Sequence, residues 1–167
     1  MSFQAVMGSS GGGFQAESAP AFPLPRPTAI LGVAGIYDLR LLRDTYRDRP
    51  EWQEFIEGAF GSDETLWDSV SPARVEGANG VESGWKVGRL VVLAHSPEDG
   101  LVDASQGEAM RWALTRWERN QVDGRNRRVV MLPVKGQHDD PWEKGEELAR
   151  AITATVQELQ NMGLVSS

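Results

Sequence analysis

Apolar positions fall into two kinds of run along the chain. Short, nearly continuous apolar stretches occupy residues 28–39 (TAILGVAGIYDL), 89–96 (RLVVLAHS) and 127–134 (RRVVMLPV). They are rich in Val, Leu, Ile and Ala without strict alternation, the pattern of strands buried on both faces of a parallel sheet. Elsewhere the apolar residues space out. Met110, Ala113, Leu114 and Trp117 share one face of a helix predicted over 103–119, with Asp103 suited to its N-cap. Leu148, Ile152, Val156 and Leu159 form a stripe on a last helix. That helix is expected to open with Asp140 as cap, Pro141 in its first turn and Glu143 in the capping-box position, and to end at Gly163.

Residues 39–72 read as short helices. LRLLRDTYR is one; PEWQEFIEGAFG opens with Pro50 and stops at Gly61; SDETLWDSV takes Ser62 or Asp63 as cap and is halted by Pro72. Strands alternating with helices imply right-handed crossovers, hence an α/β fold. The expected architecture is a doubly wound, mostly parallel sheet of about three strands with flanking helices. So small a parallel sheet leaves an unpaired apolar edge, and it reads as incomplete. Residues 28–163 hold this domain and 164–167 a tail. Residues 1–7 (MSFQAVM) read as a remnant helix without a cap, and 8–27 as a Gly/Ser/Pro-rich loop. The Gly-rich stretch 76–88 is a connection.

Composition narrows the function. A hydrophobic share of 40% with six Trp can supply a core, while a net charge of −7 and no basic stripe argue against a nucleic-acid partner. The cluster Arg125–Arg128 is assigned to a solvated turn. The chain has no cysteine, which rules out disulfides, thiol catalysis and Cys-ligated zinc. Two histidines are too few for a His-rich metal site, so neither metal nor other cofactor is expected. No apolar run approaches the roughly 18 residues of a membrane helix. The start lacks the basic and apolar regions of a signal peptide, and a cytoplasmic location is expected.

Functional groups in open parallel sheets gather beyond the carboxyl ends of the strands. Asp99 follows the strand 89–96 and His138 follows the strand 127–134, so both loops are expected on one rim. A carboxylate that accepts an imidazole N–H fixes its tautomer and leaves the opposite nitrogen to take a proton from a nucleophile. An acid followed by a histidine, each at a strand end, is the chain order of α/β-hydrolases. Taken singly, Asp99 in PEDG is a turn residue and His138 a loop residue. Glu98 is expected to point elsewhere, Asp139 and Asp140 to sit at the positive end of the last helix, and His95 to hold the turn that aims Asp99. GSSGG (8–12) matches G-x-S-x-G with Ser10 in the nucleophile place, but no strand and long helix flank it, and it reads as linker.

At these residues the sequence resembles the fungal kynurenine formamidases (arylformamidases) of the α/β-hydrolase superfamily. The resemblance rests on GVAGIYDLRLLRD, EFIEGAFGSDETLWDSVSPA, VVLAHSPEDGLVD and GQHDDPWEKGEELARAI, and it spans roughly residues 29–157 in family order. It implies that Asp99 is the acid and His138 the base of a Ser-Asp-His triad. The family's serine, in a G-H-S-x-G elbow, and its H-G-G-x-W oxyanion motif are expected ahead of Met1, and MSFQAVMG resembles the helix after the nucleophile. The implied reaction is hydrolysis of N-formyl-L-kynurenine to L-kynurenine and formate in tryptophan breakdown, without a cofactor, in an enzyme that forms a homodimer. A catalytically inactive remnant or binding partner and a general esterase are the competing readings. Tyr37 and Trp52 are candidates for lining a substrate pocket, set against simple packing.

Overall fold

The computed structural model describes residues 27–75, 85, 87–120, 124 and 126–166. The apolar runs form three parallel strands, β1 (Ala29–Val33), β2 (Leu90–His95) and β3 (Arg128–Pro133), in the order β1-β2-β3. Pairing runs from Ala29↔Leu90 to Val33↔Ala94 and from Leu90↔Arg128 to His95↔Pro133. β2 lies in the middle and every residue of it is buried. β3, by contrast, alternates: Val129 is buried while Met131 is 41% exposed. An edge strand has company on one side only, and that relaxes the demand for continuous apolar sequence.

The pleat sends side chains to opposite faces. Val91, Leu93 and Val129 join Tyr37, Trp85, Met110, Leu114 and Trp117 on one. Val33, Ala94 and Val134 pack with Ala151, Trp142 and Leu148 on the other. The sheet is therefore covered on both sides, as a parallel sheet requires. A satellite core of Leu39, Leu42, Ile56 and Trp67 sits among α1 (Leu39–Thr45), α2 (Pro50–Phe60) and α3 (Glu64–Val70). Asp38 caps α1 by accepting the Leu41 N–H, and Asp63 rather than Ser62 caps α3 through Thr65. An ion-pair cluster of Arg40 with Glu64 and Asp68 ties α1 to α3.

Three boundaries differ from the sequence reading. The first strand is shorter than 28–39, because Ala34 turns the chain with φ 49 and Asp38 starts a helix. Gly32 and Gly35 make room there: a Cβ on Gly32 would lie 2.1 Å from the Tyr37 hydroxyl. The 103–119 helix divides at Leu114 into α4 (Ser105–Ala113) and α5 (Thr115–Arg119), yet Met110, Leu114 and Trp117 remain buried on one side. Ala104 rather than Asp103 holds the cap position of α4, and Asp103 accepts the Ser105 N–H at 2.9 Å from just ahead of it.

The last helix also divides. α6 (Asp140–Glu143) is separated from α7 (Glu146–Asn161) by Gly145, in the left-handed region at φ 77. Asp139 rather than Asp140 holds the cap position of α6, and Asp140, the first helical residue, accepts from Gln137 N–H and pairs with Lys144. The buried face of α7 is Ala151 and Thr155, while Ile152 and Val156 are 48% and 43% exposed. The middle of the apolar stripe is rotated off the contact, while Leu148 stays packed against it. Gly163, at φ 68, closes the helix with bonds from Gly163 N–H to Gln160 and from Leu164 N–H to Leu159, a Schellman arrangement. Of the Arg cluster, Arg127 lies over the Trp117 ring and Arg128 begins β3, paired with Glu158. Residues 1–7, the 8–27 stretch with Ser10 up to residue 26, and most of 76–88 lie outside the described residues.

Candidate active site

The turn after β2 and the loop after β3 leave the sheet side by side. Val134 N–H bonds the His95 carbonyl at 3.0 Å, which carries the strand pairing one residue past β3. Two side chains then tie the loops together. Glu98 accepts the Gly136 N–H at 3.1 Å, and Gln137 accepts the Gly100 N–H at 3.3 Å. Glu98 thus points away from the histidine, as its place in the turn suggested, and anchors the second loop. Gly136 adopts φ 92, and a Cβ there would come within 2.4 Å of an Asp140 oxygen. The sharp turn that delivers His138 needs glycine for both reasons.

Asp99 and His138 meet at the centre of this rim. His138 Nδ1 lies 2.9 Å from Asp99 Oδ2, and the residues are 4% and 9% exposed. The other carboxylate oxygen, Oδ1, accepts the N–H groups of Leu101 and Val102, each at 2.9 Å. The turn role and the imidazole contact coexist because they use different oxygens. Burial opposes ionisation of Asp99, but the His138 contact and the Val102 and Leu101 N–H groups outweigh it, and the carboxyl is held below its usual range.

Hydrogen-bond partners fix both imidazole tautomers. A carboxylate can only accept, so neutral His138 carries its proton on Nδ1 and presents a bare lone pair at Nε2. That buried nitrogen has no partner among the described residues. His95 Nε2 lies 2.8 Å from the Val102 carbonyl, so its proton is on Nε2. The same nitrogen stands 3.7 Å from Asp99 Oδ2. His95 therefore bridges the two ends of the turn that carries Asp99.

Among the described residues, Tyr37 and Trp52 belong to different packing clusters. Tyr37 is 7% exposed in the core against Gly32, and burial pushes its phenol pKa strongly upward. Trp52 stacks on Tyr46 at 5.7 Å and packs against the satellite core. The simple packing reading holds for Tyr37 because the aromatic ring fills the space left by two glycines. Two features had no sequence signal. Gln106 Oε1 accepts the N–H groups of Tyr37 and Asp38 at 2.9 and 2.8 Å, fixing the exit of β1 from 68 residues away. Arg49 reaches the Gly100 carbonyl at 3.4 Å, so the start of α2 touches the Asp99 turn. Among the described residues, no three His, Cys, Asp or Glu side chains converge to hold a metal ion, and no helix is long and apolar enough to cross a membrane.

No protein-family model matches the chain. Among solved structures, an acetyl ester-xyloside bifunctional hydrolase from Caldicellulosiruptor lactoaceticus aligns over 84% of this chain and 44% of its own, with TM-score 0.51 at 14% identity. The chain carries a partial α/β-hydrolase fold. Among curated proteins, a kynurenine formamidase-like hydrolase of Fusarium equiseti is 40% identical over 138 residues, 83% of this chain and 44% of that protein. A kynurenine formamidase of Aspergillus versicolor is 34% identical over 84% of this chain and 55% of its own length. The chain spans about half the length of these curated relatives. Resemblance to the C-terminal part of such hydrolases fits that coverage.

Proposed function

We propose that the chain supplies the acid and base of a Ser-Asp-His hydrolase that cleaves the formyl amide of N-formyl-L-kynurenine. The observation that carries this reading is the buried Nδ1–Oδ2 contact of 2.9 Å, with Nε2 left bare. The names of the curated relatives support the substrate. In this reading the serine comes from a segment outside the described residues and stands against Nε2.

His138 takes the serine proton at Nε2 as the hydroxyl oxygen attacks the formyl carbon. Asp99 stabilises the resulting imidazolium through the Nδ1–H bond without taking the proton itself. The C–N bond then breaks, and His138 returns its proton to the departing aryl amine, releasing L-kynurenine. Water, deprotonated by the same nitrogen, attacks the formyl ester and frees formate and the serine. No redox step or cofactor enters this sequence.

Formate release by the full-length protein tests the reading. Asp99→Asn is expected to lower kcat by roughly ten-thousand-fold, and His138→Ala by about a million-fold. Unchanged rates in folded variants would remove both residues from the chemistry. A general esterase would instead hydrolyse aryl esters with little preference for the formyl amide. An inactive remnant would release no formate even with the serine-bearing segment present.

A further inference from the structure

Beside the Asp99 turn, the corner between α1 and α2 carries a half-open cavity of about 350 Å³. Its lining includes Arg43, Arg47 and Arg49, Asp44, Tyr46 and Gln53. Three guanidinium groups against one carboxylate make it a cationic spot in a chain of net charge −7. The volume falls at the small end of ligand pockets, suited to an amino-acid-sized molecule.

The three arginines are not equally committed. Arg43 is taken up by Asp44 and Glu64. Arg47 is 75% exposed in its side chain and, among the described residues, pairs with Asp44 alone, at 3.5 Å. Arg49 meets no carboxylate among the described residues; it contacts the Gly100 carbonyl and the Tyr46 ring, 5.1 Å below its guanidinium. Tyr46 stacks in turn on Trp52, which packs against the core around Ile56. A guanidinium laid on a rigid aromatic ladder loses little freedom on binding, and most of its five N–H donors remain unused. Its fork matches a carboxylate.

We propose that this cavity is a carboxylate-binding site that holds the amino-acid end of the substrate, with Arg49 and Arg47 as the ligand-contacting residues. The assignment rests on the hydrolase reading above for what reacts at His138. The connection is short: Arg49 contacts Gly100, and Gly100 follows Asp99 in the same turn. Tyr46, within the cavity wall, also feels that turn. Burial first, and then the charges of Asp103 and Asp99, push its phenol pKa upward. A ligand anchored at Arg49 would extend along this turn towards His138.

Calorimetric titration of the full-length protein with L-kynurenine and with kynurenamine, its decarboxylated analogue, tests the site. L-kynurenine is expected to bind at least about tenfold more tightly, equivalent to about 1.4 kcal/mol. Added salt should erode that margin, since the pocket is partly exposed. The preference should vanish in an Arg47→Gln, Arg49→Gln variant while kynurenamine affinity stays the same. Arg49→Lys, which keeps the charge and loses the fork, should retain only part of it. Equal affinity for the two compounds, an undiminished preference in the double variant, or no binding of either compound would each overturn the proposal. A protein that releases no formate yet keeps the Arg-dependent preference would refute the hydrolysis reading and leave the carboxylate site standing.

Discussion

Asp99 shows how one side chain can satisfy two demands that compete on paper. Its Oδ1 builds the turn and its Oδ2 faces His138, so the turn presets the carboxylate before any substrate arrives. A preset acceptor is what lets an imidazole keep one tautomer without reorganising during reaction. The sign of the pH effect follows from the depressed carboxyl. Aspartate in an unfolded chain titrates at about 3.9, and the folded group titrates lower. Its stabilisation is therefore complete above that unfolded value and is lost as pH falls through the folded one. Thermal melting of wild type and Asp99→Asn should show a gap at pH 6 that closes progressively below about pH 4. A gap that widens on acidification would mean the carboxyl is not held low.

At the scale of elements, the site depends on where strands and helices end rather than on their middles. Ala34, Leu114 and Gly145 each break a run that periodicity alone would have continued. Gln106 compensates for the first break. Its amide accepts from Tyr37 and Asp38 and donates to the Asp38 carbonyl at 2.9 Å, so a helix residue supplies what the interrupted strand lacks. Gln106→Leu would strand those buried N–H groups, and urea unfolding should register a loss of roughly 2 to 4 kcal/mol. A change under 0.5 kcal/mol would mean water replaces the amide without cost. The buried face of α7 carries a similar lesson. Leu148, Ile152, Val156 and Leu159 give the spacing of a contact stripe, but Ile152 and Val156 face out, and Ala151 and Thr155, small enough for close approach, are buried beside Leu148.

Across the whole molecule, β2 alone is paired on both sides among the described strands. It also bears the turn with Asp99, so the acid hangs from the best-held strand and the base from an edge. Native-state hydrogen exchange should find the amides of Val91 to Ala94 slowest, with β1 and β3 opening at lower free energy. Slower exchange in β3 than in β2 would show that this edge is covered by something beyond the described residues. The stacked Trp85–Trp117 pair, 5.2 Å apart, closes the far end of the same face, with Trp85 Nε1–H donated to the Pro27 carbonyl. The rim that holds Asp99 and His138 is thus at the opposite end of the strands from this aromatic clamp.

The three apolar runs, their parallel arrangement and the strand-end positions of Asp99 and His138 were legible in the sequence, because burial on two faces and the right-handed crossover leave few alternatives. Periodicity reports which residues avoid water, and it reports this over a whole segment. It does not report the single backbone angle at Ala34 or Gly145 that ends a segment, nor which oxygen of Asp99 faces which donor. Those were decided by tertiary contacts: a tyrosine filling the space over two glycines, a glutamine reaching across 68 residues, and two loops pinned by Glu98 and Gln137. Directional bonds between distant residues have no signature in local spacing, and at this rim they alone set the distance between the carboxylate and the imidazole.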